Sequence, residues 1–207
     1  MFDRTFGSGI MTRERVAHRA HRKPVACGRS ASVCALFILG ALLGCQGGQT
    51  QTLPRPASSE RQVYFSPHGG CTAAIVATLR QAQRQVLVRA YSFTSEPIAD
   101  AVIGAHQRGV EVKVILDKSQ RSERYSAIST LARAGILVLV DTKHAIAHSK
   151  VMIIDGTTVI TGSFNFTKSA EGSNAENLLV IDDQELAKKY MANWAEHASH
   201  SIPYEPP

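Results

Sequence analysis

Residues 148–167 read HSKVMIIDGTTVITGSFNFT. Val151–Ile154 is apolar and mostly branched, and Thr157–Thr161 is again rich in β-branched residues. Between them stands Asp155-Gly156, a dipeptide that favours a two-residue type I′ turn. A turn closed there pairs Ile154 with Thr157, Lys150 with Thr161 and His148 with Ser163. Cross-strand partners share a face and side chains repeat every second residue. The pattern therefore predicts a hairpin that gathers His148, Lys150, Ser163 and Asn165 on one face. Asp155 has the opposite parity and sits in the turn. A solvated sheet edge with scattered polar residues is the competing reading.

The chemistry of the set favours a site. An imidazole is a nucleophile or an acid–base group near neutral pH. Lysine, hydroxyl and carboxamide groups beside it supply hydrogen-bond donors for the non-bridging oxygens of a phosphate. The full spacing is His148-x-Lys150-x4-Asp155-x6-Gly162-Ser163-x-Asn165, followed by Glu176-Asn177.

That spacing resembles the HKD motif of the phospholipase D superfamily. The stretches VYFSPHGG, AYSFTSEPIADAV, RGVEVKVILD and SAEGSNAENLLVI are similar to the short, single-motif bacterial endonuclease branch, from about residue 62 to the C-terminus. His68 stands where that branch often has an acidic residue, and Ile136-Leu137 replaces a more usual Ile-Pro. The resemblance implies a histidine that attacks phosphorus, a second histidine that protonates the leaving oxygen, and water that resolves the phosphohistidine. Carried onto this chain, His148 is the nucleophile or the acid. Lys150 and Asn165 bind phosphate oxygens with help from Ser163. Glu176 accepts a hydrogen bond from the other ring nitrogen of His148, and Asp155 is structural. No metal or other cofactor is expected.

Charge says little about the substrate. The chain has 207 residues, 23 Lys/Arg and 17 Asp/Glu, but residues 1–44 alone hold seven of the basic residues and two of the acidic. From residue 45 the charge is nearly balanced, which gives only weak attraction to nucleic acid. Residues 1–44 have the form of an export signal. A basic stretch (Arg13, Arg15, Arg19, Arg22, Lys23, Arg29) precedes ASVCALFILGALLG, an apolar run short for an ordinary membrane-spanning helix. It ends in LLGC, which resembles a lipobox with Cys45 as the acylated residue. Plain cleavage, an uncleaved anchor and a start at Met11 remain open. Gln46 implies, by lipoprotein sorting rules, a periplasmic protein on the outer membrane. Residues 45–61 are rich in Gly, Pro, Ser and Gln and read as a flexible tether. Cys71 would be left as a lone, buried thiol.

Residues 62–207 alternate strand and helix patterns and predict one α/β domain, a mixed and largely parallel sheet flanked by helices as an α/β/α sandwich. Strands are expected at Val63–Phe65, 85–93, 110–116, 136–140 and 177–181. Helices are expected at Thr72–Arg84, after Ser95 to Gly109, at Tyr125–Ala134, and from Asp182 onward with Leu186, Tyr190 and Trp194 on one face. HAIAH places His144 and His148 four apart, as in zinc-binding helices. Read as strand, that spacing spans roughly 13 Å, too far for one ion. The glycines of HGGC read as a turn, and Lys118, Arg121 and Arg124 as a solvated loop or a basic rim.

These readings converge on a metal-independent phosphodiesterase. Its substrate is DNA or RNA, or alternatively a membrane phospholipid. A catalytically silent envelope-binding module is a third class. One HxK pattern in a mechanism needing two histidines predicts a homodimer with a shared site.

Overall fold

The computed structural model describes residues 60–206. The expected signal segment, Cys45 and the tether therefore lie outside the described residues, apart from the last positions of the tether. The described chain runs β1 (Arg61–Ser66), α1 (Cys71–Gln81), β2 (Gln85–Ala90), α2 (Glu96–Gln107), β3 (Glu111–Asp117), α3 (Ile128–Arg133), β4 (Leu137–Asp141), β5 (Lys150–Ile154), β6 (Thr158–Gly162), α4 (Lys168–Gly172), β7 (Glu176–Asp182), α5 (Gln184–His200) and β8 (Ile202–Pro203). A short 3₁₀ turn covers Lys118–Arg121.

All eight strands form one sheet in the order β1-β7-β6-β5-β2-β3-β4-β8. Parallel pairing is confined to β2–β3 and β3–β4, where α2 and α3 make the crossovers. The other pairings are antiparallel, so the sheet is mixed but less parallel than expected. The hairpin inserts β5 beside β2 and brings β6 and then β7 outward in antiparallel steps. Alternation along each strand divides the core. Val86, Val88, Val112, Val114, Leu116, Met152, Ile154 and Ile160 face α1, α2 and α3, whose Ile75, Leu79, Ile98, Val102 and Leu131 are fully buried. Leu87, Ile115, Leu139, Val151, Ile153 and Val159 face α5, which covers them with Ala187 and Trp194. Trp194 also donates from Nε1 to the Val88 carbonyl at 3.0 Å.

Several local expectations change. The turn after β5 contains three residues, because Ile154 pairs with Thr158 and Val151 with Thr161. Asp155 adopts a positive φ of 54° there. Residues 142–149 form an irregular segment instead of a strand. Asp183, not Asp182, caps α5, its carboxylate accepting from the Leu186 N–H at 3.0 Å. At the start of α1, Glu171 supplies the anion that a helix N-terminus attracts: its carboxylate accepts from the N–H groups of Gly70 (3.2 Å) and Thr72 (2.7 Å). The HGGC loop is thus filled from within. Cys71 is buried and free.

Candidate active site

The antiparallel insertion of β5 sets its first residue against the last of β2, Lys150 opposite Ala90. The C-terminal ends of β1, β2 and β6 and the N-terminal ends of β5 and β7 then lie at one end of the sheet. Crevices at strand ends are where open α/β sheets bind ligands. Lys150 is buried, at 6% exposure, and His148 is exposed. The Lys150 Nζ lies 3.0 Å from His148 Nδ1 and donates to the His148 carbonyl at 2.9 Å. Tyr91, one residue past β2, packs its ring 4.6 Å from that of His148 and 5.1 Å from Lys150 Nζ. Burial pulls the Lys150 ammonium below the usual lysine range, against the opposing effect of the Glu176 carboxylate.

The revised register breaks the row expected on the second strand. Continuing the observed pairing places Gly162, not Thr161, opposite Lys150 and Phe164, not Ser163, in line with His148, and Phe164 and Phe166 take the buried positions that continue from Ile160. Gly162 has a φ of 154°, and a Cβ there would overlap the Asn177 carbonyl. Ser163 instead forms a reciprocal pair with Asn177. Its N–H donates to Asn177 Oδ1 and its Oγ accepts from the Asn177 N–H, both at 3.0 Å. Asn165 ends in an Oδ1 that is buried without a hydrogen-bond partner. Neither Ser163 nor Asn165 is hydrogen-bonded to His148 or Lys150 among the described residues.

Glu176 opens β7 opposite Ser66. Its carboxylate accepts from Asn174 Nδ2 at 3.1 Å, while His148 Nδ1 is engaged by Lys150. The expected Glu176–His148 hydrogen bond is therefore replaced by a charge interaction between Glu176 and Lys150. Asp155 lies at the opposite end of β5. Its carboxylate accepts from the backbone N–H groups of Gln83 (3.0 Å), Arg84 (2.7 Å) and Gln85 (3.0 Å), clasping the α1–β2 loop. Residue patterns missed Tyr91 and the anchoring role of Asn177. Tyr91 was nevertheless readable as the residue following a central strand at its C-terminal end.

Lys118 spends its ammonium on the His144 carbonyl at 3.0 Å, and Arg124 lies over the Tyr125 ring. A cleft of about 780 Å³ opens beside Arg124 and Lys168, but Glu96, Asp100 and Glu171 also line it, and His148 and Lys150 do not. The His148–Lys150 pair stands open outside that cleft.

Residues 75–197 match the family model described as "Cardiolipin synthase, PLD-like domain". A phospholipase D of Rickettsia typhi is 45% identical over 150 residues, covering 71% of this chain and 74% of the relative. The mitochondrial cardiolipin hydrolase of Xenopus tropicalis is 36% identical over 132 residues, covering 62% of this chain and 63% of its own. The crystal structure of Nuc, a phospholipase D family member from Salmonella typhimurium, superposes with a TM-score of 0.69 at 36% identity, over 71% of this chain and 99% of that one. A histidine–lysine pair seated at the end of such a sheet, in a chain with these relatives, belongs to the phospholipase D superfamily.

Proposed function

We propose that the chain hydrolyses phosphodiesters through a phosphohistidine on His148, with nucleic acid as substrate. The observation that carries the reading is the 3.0 Å contact between buried Lys150 and the Nδ1 of exposed His148. Engagement of Nδ1 leaves Nε2 as the ring nitrogen available to a phosphate. The form that protonates a leaving oxygen is the imidazolium, which carries a proton on each ring nitrogen and gives up the one on Nε2. The nucleophilic form needs the proton on Nδ1 and an acceptor for it. Glu176, already close enough to act on Lys150, supplies that acceptor by exchanging its Asn174 contact for His148. Ser163 Oγ accepts from Asn177 and keeps its own hydrogen for a phosphate oxygen, and the Asn165 carboxamide is unspent. Lys150 and these two groups stabilise the charge that builds on the pentacoordinate phosphorus.

Two histidine forms are required in one turnover. We propose that two chains meet about an axis beside His148, so that one ring attacks while its copy protonates the leaving group. The open, polar strand end suits a polymer backbone laid across it. A second reading, phospholipid headgroup hydrolysis, is favoured by Ile146, which is 59% exposed two residues before His148 and suited to entering a bilayer surface. The deciding experiment incubates the purified protein with plasmid DNA, single-stranded RNA and phosphatidylcholine or cardiolipin vesicles, with and without excess EDTA. Nicking of the plasmid that survives EDTA is the expected result. Headgroup release without nicking assigns the lipid substrate, and activity abolished by EDTA at constant fold overturns the phosphohistidine mechanism.

A further inference from the structure

On the α5 face of the sheet, opposite the side from which Lys150 projects, three of the chain's eight histidines converge on one buried carboxylate. Asp141 closes β4 and is fully buried. His144 follows three residues later, in the segment leading to His148. His197 and His200, also three apart, share a face of the last turn of α5. Asp141 Oδ2 lies 2.8 Å from His197 Nδ1, 2.9 Å from His144 Nδ1 and 3.5 Å from His200 Nε2. One potential ligand atom from each of the four residues falls within 4.8 Å of every other. The three imidazole rings stand 4.8–5.3 Å apart.

We infer that Asp141, His144, His197 and His200 form a binding site for a divalent transition metal, with zinc as the ion that best fits three imidazoles and one carboxylate. Tetrahedral zinc with bonds of about 2.0–2.1 Å places neighbouring ligand atoms about 3.3 Å apart. The observed distances bracket that value, so side-chain adjustments of about an ångström seat the ion. A second observation points the same way. His200 Nε2 is buried without a hydrogen-bond partner, because Asp141 is already hydrogen-bonded to the other two rings. An electrophile at the centre satisfies all four groups at once and displaces the shared protons.

Four protein ligands close the coordination sphere, which marks a structural ion and not a catalytic one. Its effect would be to tie α5 and the end of β4 to the segment that carries His148, fixing that segment from the far side of the sheet. The irregular course of residues 142–149 is what frees His144 from the strand spacing that would have kept it away. The inference stands independently of the hydrolase reading.

The test uses the full chain purified without a histidine tag, stripped with EDTA and dialysed free of it. Zinc titration followed by calorimetry, metal content by mass spectrometry and thermal unfolding are the readouts. One zinc per chain is expected, with Tm raised by about 5–10 °C at a hundredfold excess over Kd. Cobalt in its place should give the visible absorption of a tetrahedral ion. His144→Ala and His200→Ala should each weaken zinc affinity at least about tenfold. His144 is 42% exposed, so its replacement is compatible with folding, verified by circular dichroism. His106→Ala and His148→Asn should bind zinc as wild type does. A chain that takes up no stoichiometric zinc and shows no shift in Tm overturns the site, leaving Asp141 as a hydrogen-bond acceptor for His144 and His197. Zinc uptake insensitive to His144→Ala and His200→Ala, or lost with His148→Asn, overturns it equally.

Discussion

Glu176→Gln and Asp155→Asn each remove a negative charge from a carboxylate of the motif region, and the structure separates their effects. Glu176 acts on Lys150 and in the proposed mechanism serves His148, so Glu176→Gln should lower kcat by 10²-fold or more, the scale of a lost acid–base partner, with unfolding unchanged. Asp155 holds three backbone amides at the other end of β5. Asp155→Asn should leave kcat within a few-fold and cost about 1–3 kcal/mol, the range for hydrogen bonds to a charged group, read by urea unfolding. The pH dependence has a definite sign. Burial pushes the Asp155 carboxyl up, but the amides of Gln85, Arg84 and Gln83 bring it net below its ordinary value. Its contribution is complete well above the unfolded value of about 3.9 and is lost as pH falls below that. The variant should therefore show a smaller loss of stability than wild type between pH 5 and pH 3. Residue identity made His148, Lys150 and Asp155 legible. Which carboxylate touches which nitrogen was not, because that depends on Asn174 and on the course of the chain before β7.

Alternation and helical spacing placed most elements within a few residues. They could not count the turn after β5, since Asp-Gly serves two-residue and three-residue loops alike. That single extra residue moves Gly162 into the row of Lys150 and sends Ser163 to Asn177. The same limit hid the histidine cluster: Asp141-x-x-His144 and His197-x-x-His200 are each unremarkable alone, and only the packing of α5 across the sheet joins them. Short elements such as α4 and β8 offered too few periods to read. Element α5 was legible through Leu186, Tyr190 and Trp194, and it alone closes the second core. Trp194→Ala should accordingly cost about 3–5 kcal/mol, the range for a buried large aromatic, with loss of the Nε1 bond to Val88 included. A shift of the urea midpoint at unchanged m-value is the expected observation, and a cost below 1 kcal/mol would show that α5 is dispensable for that core.

At the scale of the molecule, we propose that the one HxK pair works with that of a second chain. Mixing wild type with excess His148→Ala chains, after enforced subunit exchange, should reduce activity as the square of the wild-type fraction. A linear decline, or a fully active monomer in sedimentation, rules the shared site out. Export and anchoring are read from residues 1–61 alone, and we propose them on that basis: Cys45→Ser should abolish incorporation of labelled fatty acid and release the protein from the envelope fraction. If labelling persists in the variant, acylation at Cys45 is wrong. The sheet order carries its own consequence for how the chain comes into being. Ser66 of β1 and Glu176 of β7 are bonded neighbours 110 positions apart, and β2 waits likewise for β5. At roughly 5–20 residues per second, the ribosome takes about 5–20 s to deliver β7 after β1 has been made. Through that interval the first strand has no edge to join, so the nascent polypeptide cannot close its sheet until nearly the whole chain exists. A stalled product ending before residue 150 would lack the central partner of β2 and should be degraded as an unfolded chain.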